Sequence, residues 1–256
     1  MERSPVSAAN RLSLSILEEK LVPPGSSHEL HGRSGALRPG DHPPFYKGKG
    51  SLLGCKNYRG ITLLSVPRKV FSGILLSRAN SHLRLLRRRE HSGFTPGWST
   101  IDRIFTLNCI MQTRLEFRKP FWTAYVNLSA AFDSVDRDAI WGLLRAHGMP
   151  YEIVDLMKLL HSDTLSAVCM DGLTSEWFRV DRGVRQGCRM APDLFLRPMD
   201  NILENTVTQG HLGVNIGTER FTDLDYADDV ALLAESCGDV VASLVTMGQV
   251  ASKFGL

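Results

Sequence analysis

The sequence predicts an α+β fold, in which helices are interspersed with antiparallel hairpins. Apolar residues recur at helical spacing in several segments, which indicates helices. Short apolar segments flank two turn sequences, Asp171-Gly172 and Ala227-Asp228-Asp229, as expected of hairpins. No segment repeats elsewhere in the chain. A repeat architecture is therefore excluded, because such folds need self-similarity at a fixed period.

Five helices are predicted from apolar spacing together with capping and stop residues. In the first, Val70, Phe71 and Ile74 recur at helical spacing. The second begins after Ser99 or Thr100, either of which is a suitable N-cap. The predicted helices are residues 66–86, 100–115, 138–147, 192–208 and 240–254.

Strands are predicted in short segments rich in aromatic and β-branched residues. The predicted strands are residues 121–128, 165–170, 176–181, 221–226 and 230–234. We expect the second to pair with the third, and the fourth with the fifth, because a turn sequence separates each pair.

The composition is that of a globular protein. Of the 256 residues, 43% are hydrophobic and 22% are charged, which is close to the average for folded domains. A formal net charge of +3 is too weak to indicate nucleic-acid binding by itself, although it permits a local basic channel. The five cysteines include no Cys-x-x-Cys pair, which disfavours a disulfide framework and a zinc ribbon. We therefore expect an intracellular protein, nuclear or cytoplasmic, with no membrane association.

The first 43 residues differ from the rest of the chain. Much of this segment is rich in Pro, Gly, Ser and His without any periodicity. Such a segment cannot bury enough apolar surface to offset its ordering entropy. We therefore predict that residues 1–43 are disordered or unrelated to the domain that follows, and that this domain spans residues 44–256.

Two adjacent carboxylates, Asp228 and Asp229, lie at the second predicted turn. Because like charges repel, a buried turn is a costly place for them, and bound divalent cations would remove that cost. Two cations bridged by carboxylates are the usual apparatus of nucleotidyl transfer, and Mg²⁺ suits oxygen ligands. The alternative from these residues alone is a solvent-exposed turn, since Asp favours turns through its own hydrogen bonds.

Five segments, in this order, resemble motifs of the reverse transcriptases of non-LTR (LINE-type) retrotransposons, with RTE-like and jockey-like elements most similar. They are NYRGITLLS at 57–65, SGFTPG with STID at 92–102, AAFDSVDR at 130–137, GVRQGC at 183–188 and YADD at 226–229. The resemblance covers residues 44–256. Five motifs in the family's order make chance an inadequate explanation.

The resemblance implies a right-hand polymerase fold, with fingers, an antiparallel palm sheet and packed helices, and with the thumb missing. It implies an RNA-directed DNA polymerase that works by two-metal nucleotidyl transfer. The implied cofactor is Mg²⁺, as two ions, with Mn²⁺ as a substitute. The implied partners are an RNA template, a DNA primer and deoxynucleoside triphosphates. Oligomeric state is left open.

The matched motifs also imply roles for individual residues. Asp228 and Asp229 correspond to metal ligands, and Asn127 stands at the position of the family's third catalytic Asp. Substrate contacts are implied for Arg59 and Lys69 with the triphosphate, Phe132 as the gate against a 2′-hydroxyl, and Gln186 and Gly187 with nucleotide and template. For Lys69 the alternative is a solvated helix face, and Phe132 is also compatible with an ordinary core aromatic.

The sequence departs from the family most clearly at Asn127. An amide offers one oxygen and no charge, so both cations lose a bridging anion. We expect a cost of about 10³-fold or more in rate, which leaves this copy inactive or very weak. Other departures are His91 where Gln is usual, Trp98 where Arg is usual, Arg189 where Pro is common, and Asp193 at a commonly apolar position.

Two other functions remain open. The chain could be a non-catalytic nucleic-acid-binding remnant retained by a host, or the unstable product of a non-functional copy. The arginines between Arg84 and Arg89 fit a surface that follows a nucleic-acid backbone, and they equally fit a solvated helix end.

Overall fold

The computed structural model describes residues 16–18, 45–48, 50–51, 57–59, 61–167, 169–170, 173–185, 187–209 and 212–256. Of residues 1–43, for which disorder was predicted, the structure describes only Ile16–Glu18. The rest of that prediction lies outside the described residues.

Seven helices are described. They are α1 (Val66–Leu85), α2 (Thr100–Glu116), α3 (Ala131–Ser134), α4 (Arg137–Ala146), α5 (Tyr151–His161), α6 (Ala191–Gln209) and α7 (Cys237–Ser252). No helix in the described part of the chain is both long and apolar enough to cross a membrane.

The described strands are short. They are β1 (Ile16–Glu18), β2 (Phe45–Tyr46), β3 (Tyr58–Arg59), β4 (Ile61–Leu63), β5 (Trp122–Asn127), β6 (Leu165–Ser166), β7 (Cys169–Met170), β8 (Leu173–Thr174), β9 (Phe178–Arg179), β10 (Val214–Ile216), β11 (Glu219–Phe221), β12 (Asp223–Tyr226) and β13 (Asp229–Ala234).

The described residues form two compact units. The first consists of the described parts of residues 1–72, 159–181 and 185–188. It contains four two-stranded ladders: β1 pairs in parallel with β4, and β2–β3, β6–β9 and β7–β8 are antiparallel.

The second unit is built on a three-stranded antiparallel sheet in the order β12–β13–β5. It comprises residues 73–158, 182–184 and 189–256. One face of the sheet packs on α2 and on the β10–β11 hairpin, through a core made of Ile110, Val214, Leu224, Ala231 and Leu233. Alternation along a strand directs Val230 and Leu232 to the opposite face, where both are also buried. Helix α7 packs against β13, β5 and α6. The α+β prediction is confirmed.

Sequence patterns located most of these elements. All five predicted helices are confirmed, as α1, α2, α4, α6 and α7, with ends that differ by a few residues. The predicted second hairpin is β12–β13, and the predicted first hairpin consists of β6–β9 and β7–β8. Helix α5 was missed, although its buried residues Val154, Met157 and Leu160 recur at helical spacing. The β10–β11 hairpin was missed because its strands contain polar residues.

The apolar periodicity of α2 located the helix but not its buried face. Its apolar residues Ile101, Phe105 and Leu115 are exposed, whereas Ile110 and Arg114 are buried. The guanidinium of Arg114 donates to the carbonyl of Pro120 and lies 2.9 Å from the carboxylate of Glu235. Sequence alone does not reveal such a buried Arg, because its burial depends on partners supplied by distant segments.

Candidate active site

The Asp228-Asp229 pair occupies the tight turn between β12 and β13. Tyr226 pairs with Asp229, so that only Ala227 and Asp228 lie between the strands. Ala227 has φ of 60°, in the left-handed region that residues other than glycine rarely adopt. Asp229 is exposed and Asp228 is half-buried. The turn therefore presents its carboxylates at one end of the sheet.

Asn127 lies beside this turn. It is the last residue of β5 and directly opposes Asp229 in the β5–β13 ladder. Directly opposed residues of an antiparallel pair have Cα atoms about 4.5–5.5 Å apart. The structure thus brings together the three positions that the motifs assigned to metal binding, although about a hundred residues separate Asn127 from the turn. Strand β5 therefore lies next to the β12–β13 hairpin in one antiparallel sheet.

The donor set at this end of the sheet consists of oxygen atoms. Two carboxylates and one amide carbonyl suit a hard divalent cation. Within the described residues, no group of three or more His, Cys, Asp or Glu side chains could hold a metal ion. At this turn the pair Asp228-Asp229 supplies two carboxylates, and position 127 supplies an amide. The residues therefore fit Mg²⁺ in ligand chemistry but carry two negative charges instead of three.

Residues 91–93 contact the backbone of β12 and of the turn. The backbone amide and the hydroxyl of Ser92 both donate to the carbonyl of Asp225, at 3.0 and 2.9 Å. The amide of Ala227 donates to Nε2 of His91 at 3.2 Å. A Cβ on Gly93 would lie 2.3 Å from the Ala227 nitrogen, so only glycine permits this close approach.

A buried ionic cluster lies under β12. Arg88 donates to both carboxylate oxygens of Asp223, at 2.6 and 3.0 Å, and to Asp225 at 3.1 Å. Burial works against the Asp223 carboxylate, but the hydrogen bond and charge of Arg88 outweigh it and lower the pKa of Asp223. Burial, and then the neighbouring charge of Asp223, raise the pKa of Asp225 well above its usual value. Arg88 thus donates to two carboxyl groups, and Asp223 has the lower pKa of the two.

A second buried ion pair, Asp200 with Arg197, lies next to His91. Asp200 lies 3.3 Å from Nδ1 of His91 and 3.2 Å from the guanidinium of Arg197. All three side chains are almost fully buried, and burial lowers the pKa of Arg197. Since Nε2 of His91 accepts from Ala227, a neutral ring places its proton on Nδ1, which lies near Asp200 without a hydrogen bond to it.

Phe132 lies in an aromatic cluster. Its ring stacks on Phe195 with centroids 4.1 Å apart and meets the edge of Phe94 at 6.4 Å. Its carbonyl accepts a hydrogen bond from the amide of Val184 at 2.7 Å. The side chain is half-buried. One part of its surface therefore belongs to the core, and another remains accessible.

The other residues with implied substrate contacts belong to the first unit. Arg59 lies in β3, where it is paired with Phe45. Lys69 is exposed on the first turn of α1. Gly187 is exposed with φ of 108°, a conformation suited to glycine. Gln186 lies outside the described residues. Their predicted contacts with nucleotide and template remain predictions.

An open cavity of about 660 Å³ lies between the end of α1, the start of α2 and the β11–β12 strands. Its lining includes four arginines that form no ion pair with a carboxylate within the described part of the chain: Arg84, Arg89, Arg103 and Arg220. We call it the arginine cavity. Its acidic lining residues are Glu90, Glu219 and Asp223, the last of which is paired with Arg88.

An exposed tryptophan stands at the wall of the arginine cavity. Trp98 is 51% exposed, and the guanidinium of Arg103 lies 4.9 Å from its ring centroid. The Nε of Arg103 is buried without a hydrogen-bond partner, and burial lowers the pKa of this residue. The sequence pattern distinguishes the arginines between Arg84 and Arg89 and the unusual Trp98. Arg103 and Arg220 give no such signal, because they come from other segments.

Two further residues that depart from the family pattern, Asp193 and Arg189, contact other side chains or backbone in the structure. Asp193 pairs with Arg87 at 2.6 Å, so its carboxylate is not left alone in the core. Burial nevertheless raises the pKa of Asp193, against the attraction of Arg87. The side chain of Arg189 packs against Gly73 of α1, which leaves room for its guanidinium. Both polar residues therefore have contacts in this structure that accommodate them.

Comparisons with known proteins agree with the motifs. A family model described as reverse transcriptase (RNA-dependent DNA polymerase) matches residues 46–256. The Retrovirus-related Pol polyprotein from type-2 retrotransposable element R2DM of Drosophila melanogaster is 29% identical over 181 residues, which is 71% of this chain and 17% of the relative. A Pol polyprotein from a type-1 retrotransposable element R2 of Nasonia vitripennis is 29% identical over 191 residues, 73% of this chain and 18% of the relative. The chain thus spans about a sixth of the length of these curated relatives.

Solved structures give the same fold. Apo telomerase from Candida tropicalis, truncated from its C-terminal domain, superposes with a TM-score of 0.52 at 12% identity, covering 72% of this chain and 38% of that one. Telomerase from the same organism with a TWJ fragment of telomeric RNA gives a TM-score of 0.51 at 11% identity, covering 71% and 31%. At this identity the similarity concerns the fold alone, and it confirms the predicted polymerase architecture.

Proposed function

Because the chain belongs to the reverse transcriptase (RNA-dependent DNA polymerase) family, we propose that it is the part of an RNA-directed DNA polymerase that holds the catalytic metal ions at Asp228 and Asp229. Its relatives are R2 retrotransposable elements, in agreement with the non-LTR retrotransposon type indicated by its motifs. The match begins at residue 46, which supports a polymerase region that starts near residue 44.

One observation supports this function more than any other. Asn127 directly opposes Asp229 in the ladder, next to the turn that carries Asp228. Oxygen-bearing side chains from two segments about a hundred residues apart therefore meet at one end of a sheet. A structural turn would need no such convergence, whereas two-metal nucleotidyl transfer requires it.

Each residue has a stated task in the proposed mechanism. Asp228 and Asp229 hold the cations, and Asn127 adds a neutral oxygen. A bound divalent cation supplies a Lewis acid for the transferred phosphoryl group and lowers the pKa of the attacking hydroxyl. Arg59 and Lys69 neutralise the triphosphate. Phe132 excludes a ribose 2′-hydroxyl with the accessible part of its ring, and Gln186 and Gly187 contact nucleotide and template.

The neutral Asn127 limits the rate of this copy. Loss of one carboxylate from the site reduces the stabilisation of the charge that develops in the transition state. We propose a reduction of about 10³-fold or more relative to a site with three carboxylates. The partners proposed for this reaction are an RNA template, a DNA primer and deoxynucleoside triphosphates, in the nucleus or the cytoplasm.

A primer-extension assay with a homopolymer RNA template tests the proposal. We expect the wild-type chain to extend a DNA primer barely above background with Mg²⁺ or Mn²⁺. Asn127→Asp should raise the signal, because it adds a third carboxylate to the proposed metal site. Asp228→Ala should remove any extension in both backgrounds. Extension that is unaffected by Asp228→Ala would contradict the assignment.

A second candidate function is nucleic-acid binding without catalysis. It is favoured by the combination of a neutral residue at position 127 with the arginine cavity, whose four arginines have no carboxylate partners in the described part of the chain. Salt-sensitive binding of single-stranded RNA, together with no extension by either the wild type or Asn127→Asp, would support this function instead.

A further inference from the structure

The backbone amide of Ala227 needs a hydrogen-bond acceptor from outside its own hairpin. Ala227 is 7% exposed, so its N–H is shielded from water, and an unpaired buried amide costs about 1–3 kcal/mol. The β12–β13 ladder pairs Tyr226 with Asp229 and leaves the Ala227 amide between the strands. The acceptor is Nε2 of His91, at 3.2 Å.

Ala227 is also strained. A left-handed conformation costs a residue with a Cβ about 1–2 kcal/mol. Such a conformation persists only where the surroundings enforce it. Here the enforcing contacts come from residues 91–93: the ring of His91 holds the Ala227 amide, and Gly93 packs against the backbone of Ala227. Both contacts fall on the residue that immediately precedes Asp228.

The ring of His91 is buried beside a carboxylate. It is 2% exposed, and its Nδ1 lies 3.3 Å from a carboxylate oxygen of Asp200. Asp200 also lies 3.2 Å from Arg197, on the same helix. Nδ1 of His91 and the facing oxygen of Asp200 make no hydrogen bond within the described residues, so the hydrogen bond of this ring is the one with the Ala227 amide.

We propose that His91 is a positioning residue: its Nε2 holds the Ala227 peptide, and this sets the direction in which Asp228 and Asp229 present their carboxylates. The proposal rests on the proposed function in that it takes these two residues as metal ligands. His91 touches no substrate and acts only through the backbone of the turn. Glutamine, which the family usually has here, can also present an oxygen acceptor to this amide and a donor to Asp200.

Two variants of the full chain separate hydrogen bonding from packing. His91→Leu fills the space but has no acceptor, whereas His91→Gln retains one. His82→Leu, on α1, changes a half-exposed histidine away from the turn and serves as the control. The readouts are the hydrogen-exchange rate of the Ala227 amide, measured by NMR, and the affinity for Mn²⁺ alone, measured by EPR titration.

We expect His91→Leu to raise the exchange rate of the Ala227 amide and the Kd for Mn²⁺ by about tenfold each. His91→Gln should remain within about threefold of wild type in both readouts, and His82→Leu should change neither. A folded His91→Leu variant with unchanged exchange would overturn the proposal, as would a His91→Gln variant as impaired as His91→Leu. If the wild type binds no Mn²⁺, the metal assignment of the proposed function fails, while the exchange rates still decide whether His91 holds the turn.

A measurement on the wild type tests the hydrogen bond from the Ala227 amide to Nε2 of His91, even if His91→Leu does not fold. Ring ¹⁵N chemical shifts should show His91 protonated at Nδ1 and unprotonated at Nε2, because only an unprotonated Nε2 can accept from Ala227. A ring protonated at Nε2 would refute the proposal.

Discussion

Asn127 and Asp229 form a directly opposed pair at the end of the β5–β13 ladder. This relationship makes position 127 part of the carboxylate cluster, although its side chain is neutral. The metal binding proposed for this chain depends on that pair and on the neighbouring Asp228.

Asn127→Asp should strengthen metal binding. The added carboxylate places a third negative charge beside Asp228 and Asp229, and ligand charge is a main determinant of affinity for hard cations. We expect the Kd for Mn²⁺, measured by EPR titration, to fall by about tenfold or more. Asn205→Asp, on α6, adds the same charge away from the turn and should leave the Kd unchanged. An unchanged Kd in Asn127→Asp would place the metal elsewhere.

The two carboxyl groups bound by Arg88 should respond differently to neutralisation. Asp223→Asn removes the bidentate partner of a buried arginine, so we expect the free energy of unfolding to fall by about 3–5 kcal/mol. Asp225→Asn replaces a carboxyl group whose pKa is already raised, and it should change stability at pH 7 little or increase it. Urea denaturation of both variants provides the measurement. Equal destabilisation by the two substitutions would contradict this distinction.

The pH dependence of stability should reveal Asp225. Its pKa is raised in the folded state, so below a pH of about 4 the group is protonated in both states and costs nothing. As the pH rises above that value, the unfolded chain ionises more readily than the folded one, and stability is lost. Asp225→Asn should therefore gain stability relative to wild type from pH 4 upward. The check is the difference in unfolding free energy between the two proteins from pH 4 to 8, and a difference that does not change with pH would be the contrary result.

Asp223 should account for a loss of stability at acidic pH. Its pKa is lowered in the folded state, so its contribution is complete above a pH of about 4 and is lost as the pH falls below that value. Wild type should therefore lose stability on acidification, and Asp223→Asn should show less of this loss. Thermal melts between pH 2.5 and 5 would measure it.

The arginine cavity should contribute to RNA binding through phosphate contacts. We expect the combined substitution of Arg89, Arg103 and Arg220 by Gln to weaken binding of single-stranded RNA and to reduce the slope of log K against log salt by roughly 0.7 for each lost contact. Arg78→Gln, on an exposed part of α1, is the matched control. Fluorescence anisotropy at several salt concentrations measures both quantities. A slope that is the same in all three proteins would exclude the cavity as an RNA surface.

Gly93 should be intolerant of a side chain. A Cβ there would lie 2.3 Å from the Ala227 nitrogen, so Gly93→Ala must displace the turn and should cost about 1–3 kcal/mol of stability. Gly142, within α4, has nothing within 4 Å of a Cβ, and Gly142→Ala should stabilise by about 0.5–1 kcal/mol. Thermal melts of the two variants should therefore shift in opposite directions. A shift of the same sign in both would show that the close approach is not limiting.

Local patterns in the sequence determined a large part of the fold and of the candidate site. Helical spacing and the cap at Ser99 located α2, and turn residues between apolar segments located the β12–β13 hairpin. The same hairpin identified Asp228 and Asp229. These features are local, because spacing, capping and turn preference each depend on a few neighbouring residues.

Only the tertiary structure decided how distant segments meet. The pairing of Asn127 with Asp229, the hold of His91 on Ala227 and the sharing of Arg88 by two aspartates each join residues about a hundred or more positions apart. The sequence could mark His91 as unusual, but it could not supply the partner. The physical reason is that a buried polar group is stable only when another segment supplies its hydrogen bonds, and which segment does so is set by the packing of sheet and helices.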